Sequence, residues 1–194
     1  MEHIQYINPI HNEIKINSAL RDRRIYITGV IDIDTSLEVC HLMRRIYDID
    51  CKSNREEKTI TLVLDVCYGG SILAGNSIIG MINFLKSKSY KIIGICQSCA
   101  FSMGIDILVN CTERYGFSLS QYMLHQSQVG MEGELAEVEK DVEFQKKQWQ
   151  QSVEYYIKNT KLTREKLEEI YKYKINYFML ADEALENGII HQII

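Results

Sequence analysis

An α/β domain built on a largely parallel sheet is the fold class this sequence predicts. Three observations carry it. Residues 60–66 (ITLVLDV) and 92–96 (IIGIC) are short, β-branched apolar runs bounded by turn-prone residues, the signature of buried strands. Val39, Leu42, Met43 and Ile46, and then Ile72, Ile78, Ile79, Ile82 and Leu85, recur at helical spacing. Strand therefore alternates with helix, the order from which parallel sheets are wound.

The elements follow in order. Residues 1–20 scatter Ile7, Ile10, Ile14 and Ile16 among polar residues and read as an arm or loop segment, either one that orders only against a partner or a frayed terminus. Residues 24–29 (RIYITG) read as the first strand, ended by glycine. Thr35 and Glu38 have the spacing of a capping box at the start of the next helix. A polar connector, 51–58, leads into the strand 60–66, which is apolar enough to be central. The helix 72–85, a polar turn at 86–91 and the strand 92–96 complete the first half.

Residues 105–109 are a further apolar stretch, suited to a helix. Short strands are expected at 115–119 and 122–124, and a glycine-containing loop at 126–133. The longest helix spans 134–159, with Leu135, Val138, Val142, Trp149, Val153 and Ile157 in one stripe opposite a charged face. A stripe on so long a helix suits packing on another subunit or on its own sheet. A helix over 163–173, a break at 176–180, a helix over 181–187 stopped by Gly188 and a closing strand at Ile189 and Ile190 finish the chain.

With 194 residues the chain is long enough for one domain with a real core. A hydrophobic share of 46% against 25% charged residues fits a globular protein. The net charge of −4 offers no basic footprint for nucleic acid. No secretory signal and no apolar run of membrane-spanning length are read, so a cytoplasmic protein is expected, with an organellar stroma or matrix as the alternative. Of the six cysteines only Cys96 and Cys99 form a C-x-x-C pair. A zinc site needs a second pair, so buried reduced thiols are expected, with no metal and no cofactor.

Three places carry candidate chemistry. The stretch CQSCAFSMG, 96–104, sets Ser102 near a strand-to-helix junction, where a serine suits either a nucleophile or an N-cap. Gly69 and Gly70 follow a strand and precede a helix; bare N–H groups there suit an oxyanion hole or simply a tight turn. His125 ends a strand, and in open α/β sheets sites gather at the carboxyl ends of strands.

Taken in series, the Gly69-Gly70 turn, Ser102-Met103-Gly104, Met123-Leu124-His125-Gln126, the glycine loop with its long helix, and Phe178-Met179-x-Ala181-x-Glu183-Ala184-x-x-x-Gly188 resemble the proteolytic subunit of the Clp protease, the ClpP family. The resemblance runs from about Ser18 to the C-terminus. It implies the ClpP/crotonase-like α/β fold, with a central mostly parallel sheet and a long protruding handle helix around 133–160. The domain would span 18–194, and residues 1–17 would match the axial loops.

The resemblance further implies a serine endopeptidase acting on unfolded proteins inside a chamber of two stacked seven-membered rings, homomeric or mixed. An AAA+ unfoldase such as ClpX, ClpA or ClpC would feed it, with no nucleic acid or membrane involved. Ser102 would be the nucleophile, His125 the general base, and the N–H groups of Gly70 and Met103 the oxyanion hole. The family's acidic triad member falls on Asn176. An amide orients a histidine but does not stabilise the imidazolium by charge. Asp182 and Glu183 lack the spacing to replace it. Tyr68 stands where the family usually has proline, Phe101 where a small residue precedes the serine, and Ser127 where a proline is common. Two other readings follow: an attenuated or inactive structural ring subunit that assembles with an active paralogue, and, against the Ser102/His125 pair, an acyl-CoA enzyme of the crotonase group.

Overall fold

The computed structural model describes residues 9–53, 55–127, 130 and 132–194. Its centre is β2 (Thr59–Gly70), a strand whose side chains are buried on both faces over much of its length. Leu62 and Leu64 are fully buried, as are Ile60 and Cys67. On one edge β2 pairs in parallel with β1 (Arg24–Ile31). On the other edge its first half pairs with β3 (Lys91–Cys96), and at Cys67 its second half pairs with β4 (Cys99–Phe101).

Two branches therefore leave β2. One continues from β3 through β5 (Glu113–Gly116) to β8 (Gln192–Ile193). The other continues from β4 through β6 (Gln121–Leu124) to β7 (Tyr177–Leu180). Every pairing is parallel except β6 with β7. The predicted mixed α/β fold with a mostly parallel sheet is the one observed. The register of β1 against β2 shifts at Gly29, and Val66 of β2 takes a φ of 50°. Bulges of this kind bend and twist a strand, which suits one that serves two branches.

Helices cover the sheet. The first, α1 (Pro9–Asp22), lies where an irregular arm was expected; residues 1–8 of that arm lie outside the described residues. Proline is at home in a helix's first turn, and Ala19 and Leu20 pack on the core, a contact that local patterning does not reveal. The helix α2 runs over Ile33–Ser53, starting earlier and ending later than expected. Its cap is not the Thr35/Glu38 box: the Asp32 carboxylate accepts the Thr35 N–H at 2.8 Å, while the Thr35 hydroxyl donates to the Val30 carbonyl. Near its other end Asp50 takes two bonds from the Arg23 guanidinium, at 2.9 and 2.7 Å, and a third from the Tyr90 hydroxyl at 2.7 Å. That buried cluster pins α2 to the strands on either side of β2.

Next come α3 (Ile72–Ser87), α4 (Met103–Val109), α5 (Leu135–Asn159), α6 (Arg164–Tyr173) and α7 (Ala181–Glu186). Helix α5 is the expected long helix. Its buried residues, Val153 and Tyr156, belong to the C-terminal half, where Trp149 also stacks on Tyr171 of α6. Leu135 and Val142 of the first half are exposed, so those stripe positions are not used among the described residues. The closing strand is displaced from Ile189 and Ile190 to Gln192–Ile193, because both isoleucines are buried in the turn that follows Gly188.

Candidate active site

The strand leading to Ser102 is β4, not the apolar run 92–96. Three residues are too few for a periodic signal, and Gln97 and Ser98 separate β4 from β3. Pairing with β2 at Cys67 and with β6 holds β4 in place. Ser102 then turns the chain into α4 with φ 52° and ψ −122°, a conformation that L-residues avoid and that locates strain at this one residue. Its N–H donates to the Met123 carbonyl at 2.8 Å, anchoring the turn to β6.

The hydroxyl is not used as a helix cap. It lies 2.8 Å from Nε2 of His125. For the serine to donate, the imidazole must carry its own proton on Nδ1. His125 is the residue after β6, so two neighbouring paired strands, β4 and β6, deliver the two groups to one point.

Gly69 lets β2 approach the same point. Its φ is +82°, and a Cβ there would lie 2.6 Å from the Phe101 carbonyl oxygen and 2.7 Å from Cβ of Ser102. Only glycine fits a contact that close in that conformation. Gly70 and Met103 share with Ser102 and His125 the wall of a cavity of about 300 Å³. Met103 is the first residue of α4, where a backbone N–H has no intrahelical acceptor.

Asn176 precedes β7 and is exposed. Among the described residues it forms no hydrogen bond with His125. Phe101 does not fill the cavity: its ring packs edge-to-face on Phe178 of β7, centroids 5.9 Å apart at 87°, and joins the β4 end to the segment that carries Asn176. Tyr68 and Ser127 both line the cavity, whereas Gln128, Val129 and Met131 of the loop lie outside the described residues. The C-x-x-C thiols are buried and reduced, and burial pushes Cys96 up to about 12. Cys67 beside them rises to about 11 for the same reason. Neither is a nucleophile at neutral pH.

Sequence reasoning missed the far wall of this cavity: Asp106, Trp149, Ser152 and Tyr156. The Tyr156 hydroxyl donates to Asp106 at 2.5 Å, and burial raises the Asp106 carboxyl to about 6. One signal was available, since Asp106 interrupts the apolar run 105–109. Among the described residues no group of three His, Cys, Asp or Glu side chains is placed to hold a metal ion. Nor is any helix long and apolar enough to cross a membrane.

Comparison with known proteins agrees with this geometry. The family model described as Clp protease matches residues 10–194. The ATP-dependent Clp protease proteolytic subunit of Deinococcus radiodurans is 31% identical over 144 residues, which cover 73% of this chain and 68% of that protein. A match over nearly the whole chain, on a sheet that brings a serine and a histidine into hydrogen-bond contact, places the chain in the Clp protease family.

Proposed function

We propose that the chain is a serine endopeptidase subunit of the Clp type. The observation that carries this reading is the 2.8 Å contact between Ser102 Oγ and His125 Nε2, at a strained turn opening on a cavity. The chemistry is acyl transfer. Ser102 Oγ attacks the peptide carbonyl carbon as His125 Nε2 takes its proton. The carbonyl oxygen gains negative charge and accepts from the N–H groups of Gly70 and Met103. His125 returns the proton to the leaving amine, the C–N bond breaks, and water then hydrolyses the Ser102 ester by the same route.

The unused apolar positions on the first half of α5 support assembly into stacked seven-membered rings, homomeric or mixed. An AAA+ unfoldase would supply unfolded protein to the chamber, with residues 1–17 at the axial face and 18–194 forming the protease domain. The location proposed is cytoplasmic.

The test is intact-mass analysis of the assembled protein after treatment with a fluorophosphonate. One adduct on the wild type and none on Ser102→Ala is the expected result. An unlabelled wild type would overturn the reading. It would favour the second one, a structural ring subunit beside an active paralogue, for which the exposed Asn176 is the motivating observation.

A further inference from the structure

A second cavity, of about 340 Å³, lies between α3, α4 and α5 and adjoins the Ser102 cleft. The two share the walls formed by Ile72, Met103, Asp106, Trp149, Ser152 and Tyr156. The second cavity's lining is rich in amides and hydroxyls, including Asn76, Asn83, Gln145 and Gln148. It holds one ionisable carboxylate, Asp106, and no lysine or arginine; the cleft adds only His125.

One acceptor faces this space without a full set of partners. Asp106 Oδ1 takes the Tyr156 hydroxyl, while among the described residues its other oxygen has neither a hydrogen bond nor an ion pair. Asn110, one helical turn on, is 4% exposed and lines the same cavity. Its amide nitrogen donates to the Asp106 carbonyl at 2.8 Å, which fixes the orientation and leaves Oδ1 buried with no donor. The nearby Lys86 ammonium donates to the Asn110 backbone carbonyl and is not part of the cavity wall. A buried acceptor without a donor is costly, and so is a half-buried carboxylate without a cation. Burial raises the Asp106 carboxyl to about 6, so the fold itself supplies no compensating charge. A ligand bearing a positive charge on an N–H donor group would satisfy the free Asp106 oxygen.

We propose that this cavity is a subsite for a lysine or arginine side chain of the peptide substrate, with Asp106 as the residue that recognises it. The inference rests on reading Ser102 and His125 as the cleaving pair, which is what makes the ligand a peptide. The cleft leads directly from Ser102 to Asp106, one helical turn further along α4, so the recognised side chain belongs to a residue close to the scissile bond. The ammonium or guanidinium group would pair with the free Asp106 oxygen. Its methylenes would lie against Ile72, Met103 and Trp149.

The test uses equilibrium binding, so it does not depend on turnover. Fluorescent hexapeptides identical except for lysine, norleucine or glutamate at one position are titrated into assembled Ser102→Ala protein and followed by polarisation. Lysine is expected to bind about tenfold tighter than norleucine at the preferred position, with glutamate weakest, in line with the strength of charge-assisted hydrogen bonds. Asp106→Asn keeps the shape and an acceptor for Tyr156, and it should abolish the lysine preference. Equal or tighter binding of norleucine at every position, or a lysine preference that survives Asp106→Asn, would overturn the proposal. The peptide comparison on the parent protein decides the matter even if a variant misfolds. Failure of fluorophosphonate labelling would remove the cleaving pair and leave the binding result standing.

Discussion

Tyr177 pairs with Leu124 where β7 lies antiparallel to β6. The ladder ends at that pair, and continuing its register by one step would set Asn176, the residue before Tyr177, opposite His125, the residue after Leu124. The position to which the resemblance assigns the acidic triad member thus lies near the strand end that carries His125, without a hydrogen bond to it, and Phe178 two residues further on packs against Phe101. An amide oxygen accepts a hydrogen bond from an imidazole N–H but does not stabilise the imidazolium by charge. In a trypsin-like triad the change from aspartate to asparagine lowers kcat about 10⁴-fold. Asn176→Asp should therefore raise peptide turnover, by at least tenfold and up to that order. An unchanged kcat in the assembled protein would mean that a subunit with no working triad has been repaired in name only.

His125→Ala removes the group proposed to take the serine proton. Turnover of a short peptide ester or amide should fall by roughly 10³-fold or more, in kcat rather than KM, because the substrate contacts elsewhere in the cleft remain. Steady-state kinetics separates the two constants. A variant that lost KM instead would place His125 among the binding residues.

Gly69→Ala tests the close approach of β2 to the elbow. The new Cβ would meet the Phe101 carbonyl and Ser102 Cβ well inside contact distance, at a φ that alanine disfavours. We expect a stability loss of about 1–3 kcal/mol and a fall in fluorophosphonate labelling together. Thermal unfolding and labelling rate on the same sample check this. Normal labelling would mean that the turn relaxes without moving Ser102.

Asp106 makes stability depend on pH in an unusual direction for a carboxylate. Its folded pKa, raised by burial to about 6, lies above the ordinary value of 3.8. The folded state therefore holds the proton more tightly. The resulting stabilisation is full below about pH 3.8 and is lost as the pH rises through about 6. Asp106→Asn removes this dependence. Relative to wild type, the variant should gain on the order of 2–3 kcal/mol between pH 4 and pH 7.5. A difference in unfolding free energy that stays flat over that range would contradict the burial argument.

Asp50 works in the opposite sense. Burial acts to raise its pKa, but the Arg23 and Tyr90 hydrogen bonds outweigh burial and hold it below the usual carboxylate range. Its contribution is present above the ordinary carboxylate pKa and is lost as acid protonates the folded group. Asp50→Ala strands a guanidinium that is largely buried, so a loss of about 3–5 kcal/mol is expected. Chemical denaturation at pH 7 measures it. A loss under 1 kcal/mol would mean that water replaces the pair at no cost.

The apolar runs 60–66 and 92–96 disclosed β2 and β3 because a buried parallel strand needs side chains that tolerate burial on both faces. Helices α2, α3 and α5 were legible for the same kind of reason: a stripe at 3.6-residue spacing is a local property of the chain. Ser102, Gly69, Gly70 and His125 stood out as turn-forming or reactive residues at the ends of such runs. The capping box at Thr35 misled, because Asp32 offered the first helical turn a better-placed acceptor three residues earlier. Strand β4 was invisible, since three residues carry no period and only their pairing with β6 and β2 makes them a strand.

The chain alone thus settled the α/β class, the order of its main elements and the residue types available for acyl transfer, since each follows from periodicity or from side-chain chemistry at a turn. Tertiary packing decided what those residues face. The pairing of β4 with β6 put the Ser102 hydroxyl 2.8 Å from His125. The packing of α5 on α4 turned Asp106, an odd residue in an apolar run, into a carboxylate on a cavity wall. Both are contacts between segments far apart in the chain, fixed by the burial of the surfaces around them, and no local pattern encodes such a distance.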